Sequence, residues 1–193
     1  MFKMRIYLTR HGESEYNVGN RIGGDPSLTK QGQEYAHALQ RYCEQCSGFP
    51  KRCITSTKRR TIETASGIGD ATPYAELDEI NAGIGEHLTY EEFATRYPTE
   101  DKLRSEHKLT YCYPSGESYV DVLERTKELA DDILKDGEDI LIVCHRAVAR
   151  ALVYHFTEAP IEKVPFIDIP LHTLLVIDNG QLVEPVSVLE EPV

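Results

Sequence analysis

The sequence predicts an α/β protein: a three-layer α/β/α sandwich in one domain over residues 1–193, its sheet mostly parallel with an antiparallel hairpin at one edge. Three observations carry this. Short apolar runs alternate with segments of helical periodicity. One run, Ile140-Leu141-Ile142-Val143, is apolar without a break, as in a strand buried on both faces. Near the end, Asp178-Asn179-Gly180 reads as a hairpin turn between two strand-like stretches.

The elements follow in order. Ile6 to Thr9 is a short strand that delivers Arg10-His11-Gly12 to its carboxyl end. A polar loop with Gly19, Gly23, Gly24 and Pro26 leads to Thr29, which can cap a helix carrying Tyr35, Ala36, Leu39, Tyr42 and Cys43. Cys53 to Ser56 is a second strand, with a helix through Ile62 and Ala65. Thr89 to Tyr97 is a short helix stopped by Pro98, and a charged, loop-like stretch follows. Ser118 and Asp121 form a capping box for the strongest helix pattern, which Gly137 ends. The apolar strand closing at Cys144 precedes His145 and a helix with Ala147, Val148, Ala151 and Leu152. Thr173 to Ile177 and Gln181 to Val188 complete the hairpin.

Composition bounds the function. The 21 basic and 32 acidic residues leave a formal charge of −11 at pH 7, which argues against nucleic acid and anionic membrane partners. No secretory segment or apolar run of spanning length is visible, and five irregularly spaced cysteines suit reduced thiols, so a cytoplasmic location is expected. Cys43-x-x-Cys46 lacks a second ligand pair, so no metal is expected.

Two strand-end histidines stand beside arginines: Arg10-His11 and His145-Arg146, with Arg150 one turn on. Open α/β sheets place their sites at strand carboxyl ends, and an Arg/His cluster suits a tetrahedral anion. Cys144 to Arg150 also fits Cys-x5-Arg, the loop of cysteine-dependent phosphatases. It lacks a glycine to wrap a phosphate, and the thiol ends an apolar strand, where burial would keep it inert.

Arg10-His11-Gly12-Glu13 resembles the signature of the histidine phosphatase (phosphoglycerate mutase-like) superfamily, with Thr55-Ser56-x-x-Arg59-Arg60-Thr61 and His145 in that superfamily's order. Arg21 to Asp25, Glu79 to Gly83, Thr89 to Glu92, Tyr113 to Tyr119 and Pro170-Leu171-His172-Thr173 resemble, more narrowly, the bisphosphatase domain of the 6-phosphofructo-2-kinase/fructose-2,6-bisphosphatase family. No phosphate-binding Gly-x-x-x-x-Gly-Lys loop of a kinase half is present. The resemblance implies a phosphatase with a phosphohistidine intermediate, acting on a small phosphorylated sugar without a cofactor. It makes His11 the nucleophile, and Arg10, Arg60, Asn17 and His145 the groups that hold the transferred phosphoryl. Glu79 becomes the acid and then the base. Gly24, Tyr90, Arg104, Lys108, Tyr119 and Arg150 fall at substrate-binding positions, most of them around a second phosphate.

By charge alone Glu76, Asp78 and Glu86 compete with Glu79, and Arg59 with Arg60. His172 matches the family but fits a structural hydrogen bond equally well. Arg146 stands where the family carries Gln, adding a charge beside the second phosphate and pointing to a shifted sugar-phosphate preference. A broader sugar-phosphate phosphatase, a cofactor-dependent phosphoglycerate mutase and a non-catalytic phosphosugar sensor are the alternatives. Six basic residues and two histidines in one place forecast a compact positive cleft within an acidic protein.

Overall fold

The computed structural model describes residues 4–183 and 185–189. In chain order the helices and strands are β1 (Arg5–Arg10), α1 (Glu15–Val18), α2 (Lys30–Gln45), β2 (Arg52–Thr55), α3 (Arg59–Ala65), β3 (Thr72–Pro73), α4 (Tyr90–Arg96), α5 (Pro98–Glu106), α6 (Tyr119–Asp136), β4 (Ile140–Cys144), α7 (Arg146–Phe156), β5 (Thr173–Asp178), β6 (Gln181–Leu182) and β7 (Val186–Ser187). The strands form one sheet ordered β3-β2-β4-β1-β5-β6, with β7 also paired to β5. Pairs among β1 to β4 are parallel, and β5 joins β1 antiparallel.

Side-chain alternation along the strands divides the core in two. Ile6, Leu8, Ile54, Ile140, Ile142 and Leu175 face α6 and α7, meeting Val122, Ile133, Val148 and Leu152. Tyr7, Cys53, Leu141, Val143, Leu174 and Val176 face the other way, onto Tyr35 and Leu39 of α2 and Ala65 of α3. The sheet is thus covered on both faces, and β4 is buried along its whole length. Each fully buried Ile or Leu contributes about 1.5–3 kcal/mol to the layering.

Local signals set the ends of the helices. The Ser118 hydroxyl accepts the Asp121 N–H while the Asp121 carboxylate accepts the Ser118 N–H, and Gly137 closes α6 with φ of 65°. A third cluster, Ile22, Ala82, Phe93, Tyr111 and Tyr113, lies outside the two faces and supports the loops around the sheet's carboxyl end.

Two expectations need correction. The stretch after Pro98 is helix α5: Pro98 occupies its first turn, where a missing N–H costs nothing, instead of merely ending α4. The return strand expected over Gln181 to Val188 is two separate two-residue strands that pair opposite ends of β5; Glu184 lies outside the described residues, as do residues 1–3 and 190–193. No helix among the described residues is long and apolar enough to cross a membrane.

Candidate functional site

The parallel register aligns Arg10 with Cys144, and the His11 N–H donates to the Cys144 carbonyl at 3.0 Å. The next residue on each strand is a histidine, so sheet pairing itself brings His11 and His145 together, ring centroids 5.2 Å apart. His11 Nδ1 lies 2.7 Å from the Gly12 carbonyl oxygen. A carbonyl only accepts, so Nδ1 carries the proton and the lone pair is on Nε2. Burial, then the Arg60 and Arg10 charges, hold His11 well below the usual histidine range, which keeps that lone pair free at neutral pH.

The loop carrying His11 is clamped on all sides. The Gly12 N–H donates to Thr64 Oγ1 at 2.9 Å, and the Glu13 carbonyl accepts the Thr29 N–H at 2.9 Å. Gly12 must be glycine because a Cβ there would lie 2.5 Å from the Gly32 carbonyl oxygen of α2.

His145 caps α7 and is buried; its Nε2 meets Ser56 Oγ at 2.7 Å, which in turn meets Thr61 Oγ1 at 2.7 Å. Its Nδ1 has no hydrogen-bond partner among the described residues, nor does Arg10 Nε. Arg10 is held by the Ile169 carbonyl, and burial pushes it down to about 10. Arg60, on the first turn of α3, donates to the Gly24 carbonyl at 2.9 Å.

These residues border a cleft of about 450 Å³. Its lining includes His11, Arg10, Arg60, Asn17 and Glu79, and also Tyr90, Arg104, Lys108, Tyr119, Arg146 and Arg150. The Glu79 carboxylate accepts the Ile80 and Ala147 N–H groups at 3.0 and 3.2 Å, so the start of α7 holds it in place. Of the competing carboxylates, Asp78 is bound to Thr57 and Lys58, while Glu86 is bound to the Gly24 and Ala82 N–H groups. Among the described acidic residues, Glu79 alone lines the cleft. Arg59 is exposed and Arg60 buried, so Arg60 is the one turned inward.

Arg150 donates to the Tyr119 hydroxyl and the Ile167 carbonyl, both at 2.8 Å. Arg104 sits over the Tyr90 ring and pairs with Asp101, and Lys108 lies over Phe166. Burial and the neighbouring Arg150, Arg104 and Arg146 charges pull Lys108 down. Arg146 has no ion-pair partner among the described residues.

Gly24 is not among the residues lining this cleft; it borders an adjoining pocket with Gly23 and Glu79, and its carbonyl accepts from Arg60. With φ of 63°, it is packed against the Tyr16 ring, where a side chain has no room. His145 is fully buried and is not among the lining residues, but its ring packs against that of His11, which does line the cleft. Cys144 is fully buried, its thiol pushed up by burial, and it does not reach the cleft. Cys43 and Cys46 are unpaired thiols at the end of α2, and no metal-ligating group appears among the described residues. The sequence did not mark Tyr111, Tyr113 and Ile22 as cleft walls, although Ile22 and Tyr113 both belong to motifs that carry the resemblance.

The family described as "Histidine phosphatase superfamily (branch 1)" matches residues 6–181. A 6-phosphofructo-2-kinase/fructose-2,6-bisphosphatase of Gallus gallus is 43% identical over 173 residues, and a human form, number 4, is 42% identical over the same length. Each match covers 88% of this chain but 36% of the relative, so the chain spans little more than a third of those proteins. Among solved structures, Bacillus stearothermophilus YhfR superposes with a TM-score of 0.82 at 27% identity, covering 97% of this chain and all of that one. An alpha-ribazole phosphatase from Shigella flexneri gives 0.83 at 20% identity over 93% and 96% of the two chains, a likeness of fold.

Proposed function

Because the chain belongs to branch 1 of the histidine phosphatase superfamily, we propose that this cleft removes the 2-phosphate of fructose 2,6-bisphosphate through a phosphohistidine. One observation carries the reading: His11, its lone pair fixed on Nε2, lines a cleft together with basic residues and, among the described acidic residues, Glu79 alone. The identity to fructose-2,6-bisphosphatase relatives supports this choice of sugar.

In the first step His11 Nε2 forms a bond to phosphorus while the bond from phosphorus to the sugar oxygen breaks. Glu79 gives that oxygen its proton. Arg10, Arg60, Asn17 and His145 hold the phosphoryl group, whose equatorial oxygens need donors as charge spreads over them. In the second step the Glu79 carboxylate takes a proton from water as the water oxygen attacks phosphorus. The N–P bond breaks, the lone pair returns to Nε2, and phosphate leaves. One carboxyl group serves both steps because proton flow reverses between them. The far phosphate lies among Tyr90, Arg104, Lys108, Tyr119 and Arg150, with Arg146 adding a charge that favours substrates bearing a second anionic group.

The test is release of inorganic phosphate from fructose 2,6-bisphosphate and from a panel of sugar monophosphates, with trapping of an acid-labile phosphoenzyme. Wild type should show both, and His11→Ala neither. Phosphate release only after priming by 2,3-bisphosphoglycerate would identify a mutase. Binding without release would identify a phosphosugar sensor.

A further inference from the structure

The peptide unit joining Gly12 to Glu13 is held at both ends by histidines. Its carbonyl accepts His11 Nδ1–H at 2.7 Å, and its N–H donates to His172 Nε2 at 3.0 Å. His172 lies just before β5, 159 residues from Glu13, so tertiary structure alone creates this contact.

We propose that His172 is a positioning residue for the nucleophile, acting on His11 through the Gly12–Glu13 peptide; this rests on reading His11 as the nucleophile. Proton accounting defines the relay. An amide N–H only donates, so His172 must be neutral, with its lone pair on Nε2 and its proton on Nδ1. The peptide then donates to one imidazole while accepting from the other. Hydrogen bonds in such a chain polarise one another: a good acceptor at the N–H end makes the carbonyl a better acceptor at the other. The carbonyl pulls on the His11 Nδ1 proton, which raises electron density at Nε2 and locks the ring plane.

The surroundings show a part built for this contact. His172 adopts φ of 58°, the left-handed region that a histidine enters at a cost in free energy. Its ring stacks on Tyr35 of α2, centroids 4.8 Å apart. The Tyr35 hydroxyl meets Thr9 Oγ1 at 2.6 Å, and Thr9 Oγ1 donates to the Thr173 carbonyl at 2.9 Å. The frame therefore ties the residue before Arg10 to the residue after His172. Among the described groups bonded to the Gly12–Glu13 segment other than His11 itself, Thr64, Thr29 and His172, only His172 titrates.

Titration gives the relay a signature. Protonated His172 has an N–H at Nε2 and cannot accept the Glu13 N–H. The titratable and charged groups near it are Glu13, Arg10 and His11 from the strand-end loop, with the Tyr35 ring from α2 on its flat side. Burial and Arg10 hold His172 below the ordinary histidine value, while Glu13 opposes them. The bond is therefore intact at neutral pH and breaks on acidification.

The test compares the full chain as wild type, His172→Gln and His172→Ala. The 15N resonances of the histidine rings are followed against pH, and kcat and KM are measured on fructose 2,6-bisphosphate. Wild-type His172 should appear as the Nδ1–H tautomer, and its titration should move the His11 Nδ1 resonance. His172→Gln keeps a non-titrating acceptor for the Glu13 N–H, so it should keep kcat near wild type and abolish that inflection. His172→Ala should lower kcat by about tenfold to a hundredfold, through loss of alignment, with KM little changed. An Nε2–H tautomer at His172, a His11 resonance indifferent to His172, or a His172→Gln enzyme as slow as His172→Ala would overturn the proposal. Should His172→Ala not fold, wild type and His172→Gln decide between these outcomes. The NMR arm needs no turnover, so an enzyme inert toward every phosphate ester would refute the proposed function while the relay is still judged on its own resonances.

Discussion

Replacing Gly12 by Ala tests whether the close approach of α2 to the nucleophile loop sets the rate. The new Cβ would lie 2.5 Å from the Gly32 carbonyl oxygen, 2.9 Å from Gly32 Cα and 3.0 Å from its carbonyl carbon. Ordinary carbon–oxygen contacts start near 3.3 Å, so loop and helix must part by roughly 0.8 Å. Both sides of the contact are backbone, so no side chain can swing away. His11 is the adjacent residue, its ring tied to the Gly12 carbonyl, and the shift passes to Nε2. A displacement of about 1 Å costs on the order of a hundredfold in rate, or about 2.7 kcal/mol of barrier. Overpacking should also cost about 1–3 kcal/mol of stability. The assay is single-turnover formation of phosphohistidine, with Tm followed in parallel. A Gly12→Ala enzyme that phosphorylates His11 at the wild-type rate would refute the reasoning.

Three further outcomes are expected. Cys144→Ser should retain activity while His11→Ala abolishes it, as read by phosphate release; the reverse pattern would move the chemistry to the thiol. Arg146→Gln should lower kcat/KM for sugar bisphosphates relative to monophosphates by a few-fold, since an exposed ionic contact is worth about 0.2–1 kcal/mol, and an unchanged ratio would remove Arg146 from specificity. His11 and His145 are both depressed in the folded protein, chiefly by burial, so below about pH 6.5 the unfolded chain binds protons that the folded chain does not. Stability should therefore fall as pH drops from about 6.5, by up to about 1.4 kcal/mol per pH unit for each histidine; urea unfolding midpoints that stay level between pH 7.5 and 5.5 would contradict this.

The central strands were legible because local pattern and tertiary role coincide there. An apolar run that ends in a charged or histidine residue is a strand with a site at its tip, and Arg10-His11 and Cys144-His145 both obey that rule. Helix α5 was not, because Pro98 to Glu106 buries no residue and so shows no apolar stripe. Its role is to carry Arg104 to the cleft. The choice of Glu79 over its neighbours came from resemblance, whereas the structure supplies a physical reason: Asp78 and Glu86 are already occupied in holding loops. A structural hydrogen bond at His172 was legible, but not the group it binds. Its partner is a backbone N–H at the other end of the chain, and no side-chain pattern encodes such a pairing.

Helix α7 borders the cleft over its first turns, through Arg146, Ala147 and Arg150. Its cap is His145, its first N–H groups include the one that holds Glu79, and Arg150 lies five residues beyond the cap. At 1.5 Å per residue those points are about 7.5 Å apart along one rigid axis. If the cleft acts as proposed, the helix is a ruler that measures the distance between the two anionic ends of the substrate. Such a device is indifferent to the stereochemistry of the carbons between those ends. Selectivity for one sugar over another of equal span then falls to the walls, Ile22, Tyr90, Tyr111 and Tyr113, which gauge width where α7 gauges length.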